Sequence, residues 1–320
     1  MNENNNHTPI VGVALGSGSA RGFAHIGVLK ALQEMDIYPQ VISGSSVGAF
    51  VGGAYISNHL KSLEEWVCQL TWKDVLGFFD FTFSGAGIIM GDRFSQFLAD
   101  YLGEQNIQDF SIRFGAVSTE LTTGREVWFQ EGLLHDAVRA SMSLPGLFSP
   151  VKIKGQMLAD GGIVNPVPVS ICRAMGATFV LAVNLNNDVV GKHFANKPKT
   201  LPIKWTADIA DVNDTDMPQN PLKQRLIKGL KQSMNAVFPN RNEPKPKSPG
   251  MFDILASSVN IMQDRITRSR MAIDPPDVLV EPCLSHVGWL EYYRAQECIQ
   301  EGYDAVWKIR DAINKFCHAY

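Results

Sequence analysis

A serine flanked by glycines two residues before and two residues after, Gly44-Ser45-Ser46-Val47-Gly48, is the stretch of this 320-residue chain best suited to chemistry. A G-x-S-x-G run between a buried strand and a helix has the pattern of a nucleophile elbow. In that turn the central serine hydroxyl is lifted out of the sheet and held above a helix N-terminus. Val41 and Ile42 read as the end of the strand, and Val47 to Tyr55 as a helix rich in small residues. The glycines would spare the turn a collision with the neighbouring strand and the start of the helix, and would ease a strained backbone. The same run can also be a structural joint, because small residues are common wherever a strand turns tightly into a helix. The spacing centres on Ser46 rather than Ser45.

Two further stretches carry groups that such a serine would need. Gly16-Ser17-Gly18-Ser19-Ala20-Arg21-Gly22 follows the short apolar run Ile10 to Leu15 and precedes a helix. Exposed N–H groups at a helix start attract anions, so a phosphate cradle is one reading. The spacing is G-x-G-x-x-x-G, one residue off the dinucleotide fingerprint, and no G-K-[ST] closes the loop. The favoured reading is an oxyanion hole, in which the N–H groups receive the charge that develops on an ester carbonyl oxygen. Asp160, the third candidate, leaves the apolar run Met157-Leu158-Ala159 and precedes Gly161-Gly162. It reads equally as a turn cap or as a partly desolvated base placed to take the Ser46 proton.

Histidine offers a rival base. The order Ser46, Asp160, His286 is the chain order of an α/β-hydrolase triad, and His286 sits in a loop before the C-terminal helix. His25, on the helix after the glycine loop, reads as structural or solvent-facing, or as a residue near the cleft. Cys68, Cys172, Cys283, Cys298 and Cys317 are scattered without a C-x-x-C pair, which argues for reduced thiols over disulfides or a zinc site. Cys172, on an apolar helix, reads as core filler.

The elements that must position these residues are legible as alternating strands and helices. Strands are expected at Ile10 to Leu15, Val41–Ile42, Ile112 to Val117, Glu126 to Phe129 and Phe179 to Leu185, with a hairpin at Val151 to Ile153 and Gln156 to Leu158. Helices are expected from about Phe23 to Met35, then at Leu63 to Leu70, Asp92 to Leu102, Leu133 to Ser143 and Val169 to Met175. Strand, loop, helix, strand, elbow, helix is the opening of an α/β fold with a mainly parallel sheet covered on both faces. Leu76 to Phe83 is aromatic-rich, and Gly85 to Gly91 is flexible and apolar, suited either to an acyl-chain pocket or to ordinary packing. Asp208, Asp211, Asp214 and Asp216 lack calcium-loop spacing and read as solvated surface.

The helix opened by Pro221 is basic and amphipathic. It is expected either to pack onto the domain with its lysines outward or to rest on an anionic membrane surface. Pro239 to Gly250 reads as a flexible loop. Met251 to Arg268 and Trp289 to Phe316 read as further helices around a short strand, Val278 to Val280. Residues 1–8 are expected to form a flexible N-terminus, and residues 9–320 a single domain.

Composition bounds the function. With 45% hydrophobic residues, 19% charged residues and a net charge of -3, the chain is that of a soluble globular protein with no global pull toward nucleic acid. It carries no secretory pattern at its start and no apolar run of about 18 residues. A cytoplasmic location follows as the expectation, with room for peripheral contact at the inner membrane surface.

Taken together, the glycine loop at 16–22, the elbow at 44–48 and Asp160-Gly161-Gly162 resemble the patatin-like phospholipase family. The likeness is to its bacterial branch, related to the catalytic domain of neuropathy target esterase. Ser118 to Glu126, Ala140 to Gly146 and Asn165-Pro166-Val167-Pro168 join the likeness, which is strong over residues 10–185 and general beyond them. The resemblance implies a three-layer α/β/α fold with additional C-terminal helices. It also implies a Ser46–Asp160 dyad without a catalytic histidine, oxyanion donors from Ser17, Gly18 and Ser19, and no cofactor or metal. Arg21 matches the basic position of the loop, where it would stabilise the loop or face phosphate. Substrates would be phospholipids, lysophospholipids or related long-chain esters, with a non-catalytic lipid-binding protein as the alternative. The family pattern has glycine where Ser17 and Ser19 stand, and a left-handed backbone or a close substrate there would favour glycine.

Overall fold

The computed structural model describes residues 9–74, 82–84, 87–89, 92–188 and 251–317. The chain divides into two compact units, Met1–Val190 with Val259–Tyr320, and Gly191–Ser258. The fold and site set out below are those of the first. The N-terminal stretch 1–8, the glycine-rich segment around 85–91, the basic amphipathic helix after Pro221 and the loop 239–250 lie wholly or mostly outside the described residues.

In chain order the elements are β1 (Val11–Leu15), α1 (Ala24–Glu34), β2 (Val41–Ser45), α2 (Val47–Ile56) and α3 (Leu60–Gln69). A small antiparallel hairpin, β3 (Thr82–Ser84) with β4 (Gly87–Ile89), follows, then α4 (Asp92–Leu102), β5 (Arg113–Glu120), β6 (Glu126–Phe129) and α5 (Leu134–Ser141). After them come β7 (Val151–Ile153), β8 (Gln156–Asp160), α6 (Val169–Ala174), β9 (Phe179–Val183), α7 (Met251–Ile273), β10 (Val278–Val280), α8 (Ala295–Lys308) and α9 (Arg310–Cys317).

The main sheet runs β10-β9-β1-β2-β5-β8-β7, with β6 on β5. Neighbours from β10 to β5 are parallel, while β6, β7 and β8 pair antiparallel. Every residue of β1, β2 and β9 is buried, as continuous apolar strands covered on both faces must be. The two-residue period of β1 divides its side chains between layers. Val11, Val13 and Leu15 join the core under α1, α2 and α8, whereas Ala14 joins Val169 and Cys172 under α6. The fold is therefore the expected three-layer α/β/α arrangement.

Helix α1 is pinned by α8 through a close backbone approach. A Cβ on Gly27 would stand 1.8 Å from the Ile299 carbonyl oxygen, and one on Gly302 2.0 Å from that of Ala24. Because α1 leaves the glycine loop directly, this crossing fixes the height of the loop above the sheet.

Several boundaries differ from expectation, and two of the differences bear on the site. Strand β5 continues through the polar Ser118-Thr119-Glu120 because those residues have their own partners in β6 and β8. The helix expected over 289–316 starts only at Ala295 and breaks at Ile309. The Trp289 carbonyl is taken by Ser19 and Ala20 instead of a helical amide.

Candidate active site

The registers of β5 explain how Ser46 and Asp160 meet. Val117 pairs with both Ser45 and Trp128, so β2 and β6 lie on opposite edges of β5. Ser118 pairs with both Val127 and Asp160, so β8 lies opposite β6 and on the same edge as β2. Strand β2 thus climbs that edge to Ser45, and β8 descends it to Asp160 beside the next residue of β5. The two strand tips face each other end to end. Their side chains close the remaining distance, with Ser46 Oγ donating to Asp160 Oδ2 at 2.6 Å.

Ser46 occupies φ 57° and ψ -125°, a conformation that costs a non-glycine residue of order 1–3 kcal/mol and that gathers at functional sites. It is held by its N–H, which donates to Ser141 Oγ at 2.9 Å, and by its carbonyl, which accepts from the Ala49 N–H. Strand β2 runs through Ser45, so the bend is confined to Ser46 itself. The start of α2 also rests on the end of β1, where a Cβ on Gly48 would fall 2.1 Å from the Leu15 carbonyl oxygen. Gly48→Ala should therefore lower stability by roughly 3 kcal/mol or more, read as a fall in the urea midpoint, because backbone on both sides must shift.

Asp160 is wholly buried. Its N–H donates to the Ser143 carbonyl and its own carbonyl accepts from Thr119 Oγ1, which leaves the carboxylate no freedom to drift. Oδ1 accepts from the Gly162 N–H at 2.7 Å, so Asp160 caps the following turn and also engages the serine. Burial pushes its pKa from 3.8 up to about 7, against the opposing pull of the Ser46 and Gly162 hydrogen bonds.

In the glycine loop the three expected donors are not equivalent. The Ser17 N–H donates to the Pro166 carbonyl at 2.8 Å, while no acceptor among the described residues takes the N–H of Gly18 or Ser19. Arg21 is buried, with Nε on the Gly18 carbonyl at 3.3 Å and Nη2 on Asn260 Oδ1 at 3.0 Å. It braces the loop from inside, and burial lowers its pKa to about 10. His25 is buried too, with Nε2 donating to the Gly16 carbonyl at 2.7 Å and a pKa lowered to about 4 by burial, so it stands neutral beneath the loop. His286 is exposed and pairs with Glu297 at 2.6 Å; the acceptor of the Ser46 hydroxyl is Asp160. Cys172 is core, in contact with Ser43 Oγ.

Ser46 and Asp160 line a cleft together with Met142, Leu144, Leu147, Phe148, Trp289 and Tyr292. The cleft is narrow, with a volume of about 20 Å³, room for a single water. Trp289, Tyr292 and Gln263, which also lines the cleft, had drawn no functional reading from the sequence. Nothing in their local pattern marks them, since they reach the loop from 244 to 275 positions further along the chain. Ser141 could have been found, because it lies in Ala140-Ser141-Met142, one of the stretches carrying the family resemblance.

The patatin-like phospholipase family model matches residues 13–173, which hold the glycine loop, the elbow and Asp160. An uncharacterized NTE family protein of Mycobacterium tuberculosis is 32% identical over 323 residues, covering 92% of this chain and 89% of that protein. A protein named lysophospholipase NTE1 from Pyricularia oryzae is 29% identical over 94% of this chain, which corresponds to 19% of its own length. Among solved structures, VipD from Legionella pneumophila aligns with a TM-score of 0.53 at 15% identity, over 96% of this chain and 67% of that one, a likeness of fold. With the family model spanning the whole constellation and a relative matched almost end to end, this chain belongs to the patatin-like phospholipase family and is a hydrolase of that group.

Proposed function

We propose that the protein is a serine acyl hydrolase that cleaves carboxylic ester bonds of phospholipids, lysophospholipids or related long-chain esters through a Ser46–Asp160 dyad. The 2.6 Å bond between Ser46 Oγ and Asp160 Oδ2 carries this reading, because it gives the serine proton a destination without a histidine. Fungal relatives that bear the name lysophospholipase support the substrate class.

Asp160 takes the proton as Oγ attacks the ester carbonyl, and the Gly18 and Ser19 N–H groups receive the oxyanion. Collapse expels the alcohol, which leaves with the proton from Asp160, and an acyl group remains on Ser46. Water then gives its proton to Asp160, attacks the acyl carbonyl, and frees the fatty acid as Ser46 recovers its hydrogen. The Gly162 N–H stays on Oδ1 throughout and keeps Oδ2 aimed at the serine. Among the described residues no helix is long and apolar enough to cross a membrane.

The working base is the ionised carboxylate, and burial has moved its pKa to about 7. Turnover with the free enzyme, kcat/KM, should therefore rise with pH through a single limb centred near 7 and level off above it. A profile flat from pH 5 to 8 would deny Asp160 that role.

Hydrolysis of short-chain esters, long-chain esters and lysophospholipids by the native protein, Ser46→Ala, Asp160→Asn and His286→Ala tests the assignment. His286→Ala should retain activity within about threefold, since surface substitutions away from a site change little. Collapse of activity in a folded His286→Ala protein would point instead to a triad. A folded native protein without turnover on any ester, yet with saturable lipid binding, would favour a lipid-binding role.

A further inference from the structure

Ser19 lies at φ 52°, a left-handed conformation in which a side chain is ordinarily a liability, yet the position is not glycine. Its hydroxyl shows why. Ser19 Oγ lies 2.7 Å from the Trp289 carbonyl oxygen and 2.8 Å from the Tyr292 hydroxyl. A carbonyl only accepts, so the single Ser19 hydrogen goes to Trp289, and the Tyr292 O–H must then donate to Ser19 Oγ. The same Trp289 carbonyl takes the Ala20 N–H at 3.1 Å. The Trp289 indole N–H donates to Asn260 Oδ1 at 3.0 Å, the atom that also accepts from Arg21, whose Nε in turn holds the Gly18 carbonyl. These bonds close a ring around Gly18, Ser19 and Ala20. One half of it comes from the loop and the other from α7 and the segment before α8. Tyr292 is seated edge-on against Phe23, the last residue of the turn that leads into α1, with ring centroids 5.9 Å apart.

The geometry assigns Tyr292 and the Ser19 hydroxyl as positioning groups that hold the Gly18 and Ser19 N–H donors in place for the oxyanion. The segment Trp289–Tyr292 thereby belongs to the active site. The assignment rests on the acyl-hydrolase reading for its catalytic consequence, but not for the lock itself. Neither side chain touches the reacting bond. The lock offsets the cost of the left-handed Ser19 and replaces the freedom a glycine would have at this point. Preorganised donors act because they need not reorganise when charge develops, and small misplacements are costly in rate.

Four variants and one control test it. Tyr292→Phe and Ser19→Ala should each lower kcat by about 10-fold or more with KM nearly unchanged. The double variant should be no slower than the slower single one, because both changes break one device. Ser19→Gly, which sheds the hydroxyl and the strain together, should be several-fold faster than Ser19→Ala. Tyr293→Phe, at the exposed neighbour, should stay within about twofold of native. Hydrogen exchange at the Ala20 amide, which is bonded to the Trp289 carbonyl, reads the lock without reference to turnover, and should accelerate about 10-fold in Tyr292→Phe. Unchanged exchange and kcat in Tyr292→Phe, or multiplicative losses in the double variant, would overturn the assignment. If the native protein hydrolyses no ester, the acyl-hydrolase reading fails, and the exchange measurement still decides whether the lock exists.

Discussion

Ser46→Ala should lower kcat/KM for ester hydrolysis by about 10⁴-fold or more while leaving a folded protein, as removal of a nucleophile does when the remaining machinery only binds. No neighbouring group can replace it. Ser45 is fully buried in β2 and does not line the cleft. The effect on stability is smaller and has a definite direction. Loss of the hydroxyl removes a hydrogen bond that holds the Asp160 pKa down, so the buried carboxyl becomes harder to ionise. The variant should therefore be nearest to native in stability at acid pH and furthest from it above pH 7. Urea titrations at pH 5 and pH 8 measure the difference. Retention of more than a few per cent of native kcat/KM by purified Ser46→Ala would remove the serine from the mechanism.

Asp160→Asn should cost about 10³- to 10⁴-fold in kcat, the range for loss of a positioned base that also orients the nucleophile. The amide matches the carboxylate in shape. Its oxygen can keep the Gly162 N–H, which leaves an NH₂ group facing Ser46 Oγ, and the serine proton then has no acceptor. The same substitution should stabilise the fold as pH rises. In the native protein the carboxyl pKa lies near 7, above its ordinary 3.8, so its contribution to stability is full below about pH 4 and is lost as pH climbs through 7. The neutral amide has no such decline. The stability difference between variant and native should grow from pH 4 to pH 8 by on the order of a few kcal/mol. A constant difference across that range would mean that Asp160 is not buried as a strained carboxylate. Two independent readouts, turnover and denaturation, thus bear on one side chain.

What the sequence disclosed and what it hid follow from the range of the interactions involved. The strands Glu126–Phe129 and Val278–Val280 and the helix Asp92–Leu102 were legible to the residue, since a period of two or 3.6 is written into each segment itself. The elbow and Asp160 were legible for the same reason, because each lies at the end of a short apolar strand with glycines beside it. Their meeting was not. It depends on β2 and β8 sharing one edge of β5, and β8 runs antiparallel in a sheet read as mainly parallel.

The N–H groups of the glycine loop were legible as a group but not one by one. Ser17 spends its N–H on Pro166, nearly 150 positions away. The likeness that covered residues 10–185 stopped short of Gln263, Trp289 and Tyr292, and these complete the cleft wall. Trp289 to Phe316 reads as one helix by periodicity. Tertiary bonds to Ser19 and Ala20 hold its first residue out of it, and a gain of that kind leaves no trace in local pattern.

The most direct test of the dyad is covalent capture. Incubation with a fluorophosphonate ester followed by peptide mass mapping should show one phosphonylated residue, Ser46. No labelling is expected in Ser46→Ala, and labelling should be at least about 100-fold slower in Asp160→Asn, because the reagent demands the same activated hydroxyl and the same oxyanion donors. Modification at another residue, or equal rates in native protein and Asp160→Asn, would contradict a serine nucleophile activated by Asp160.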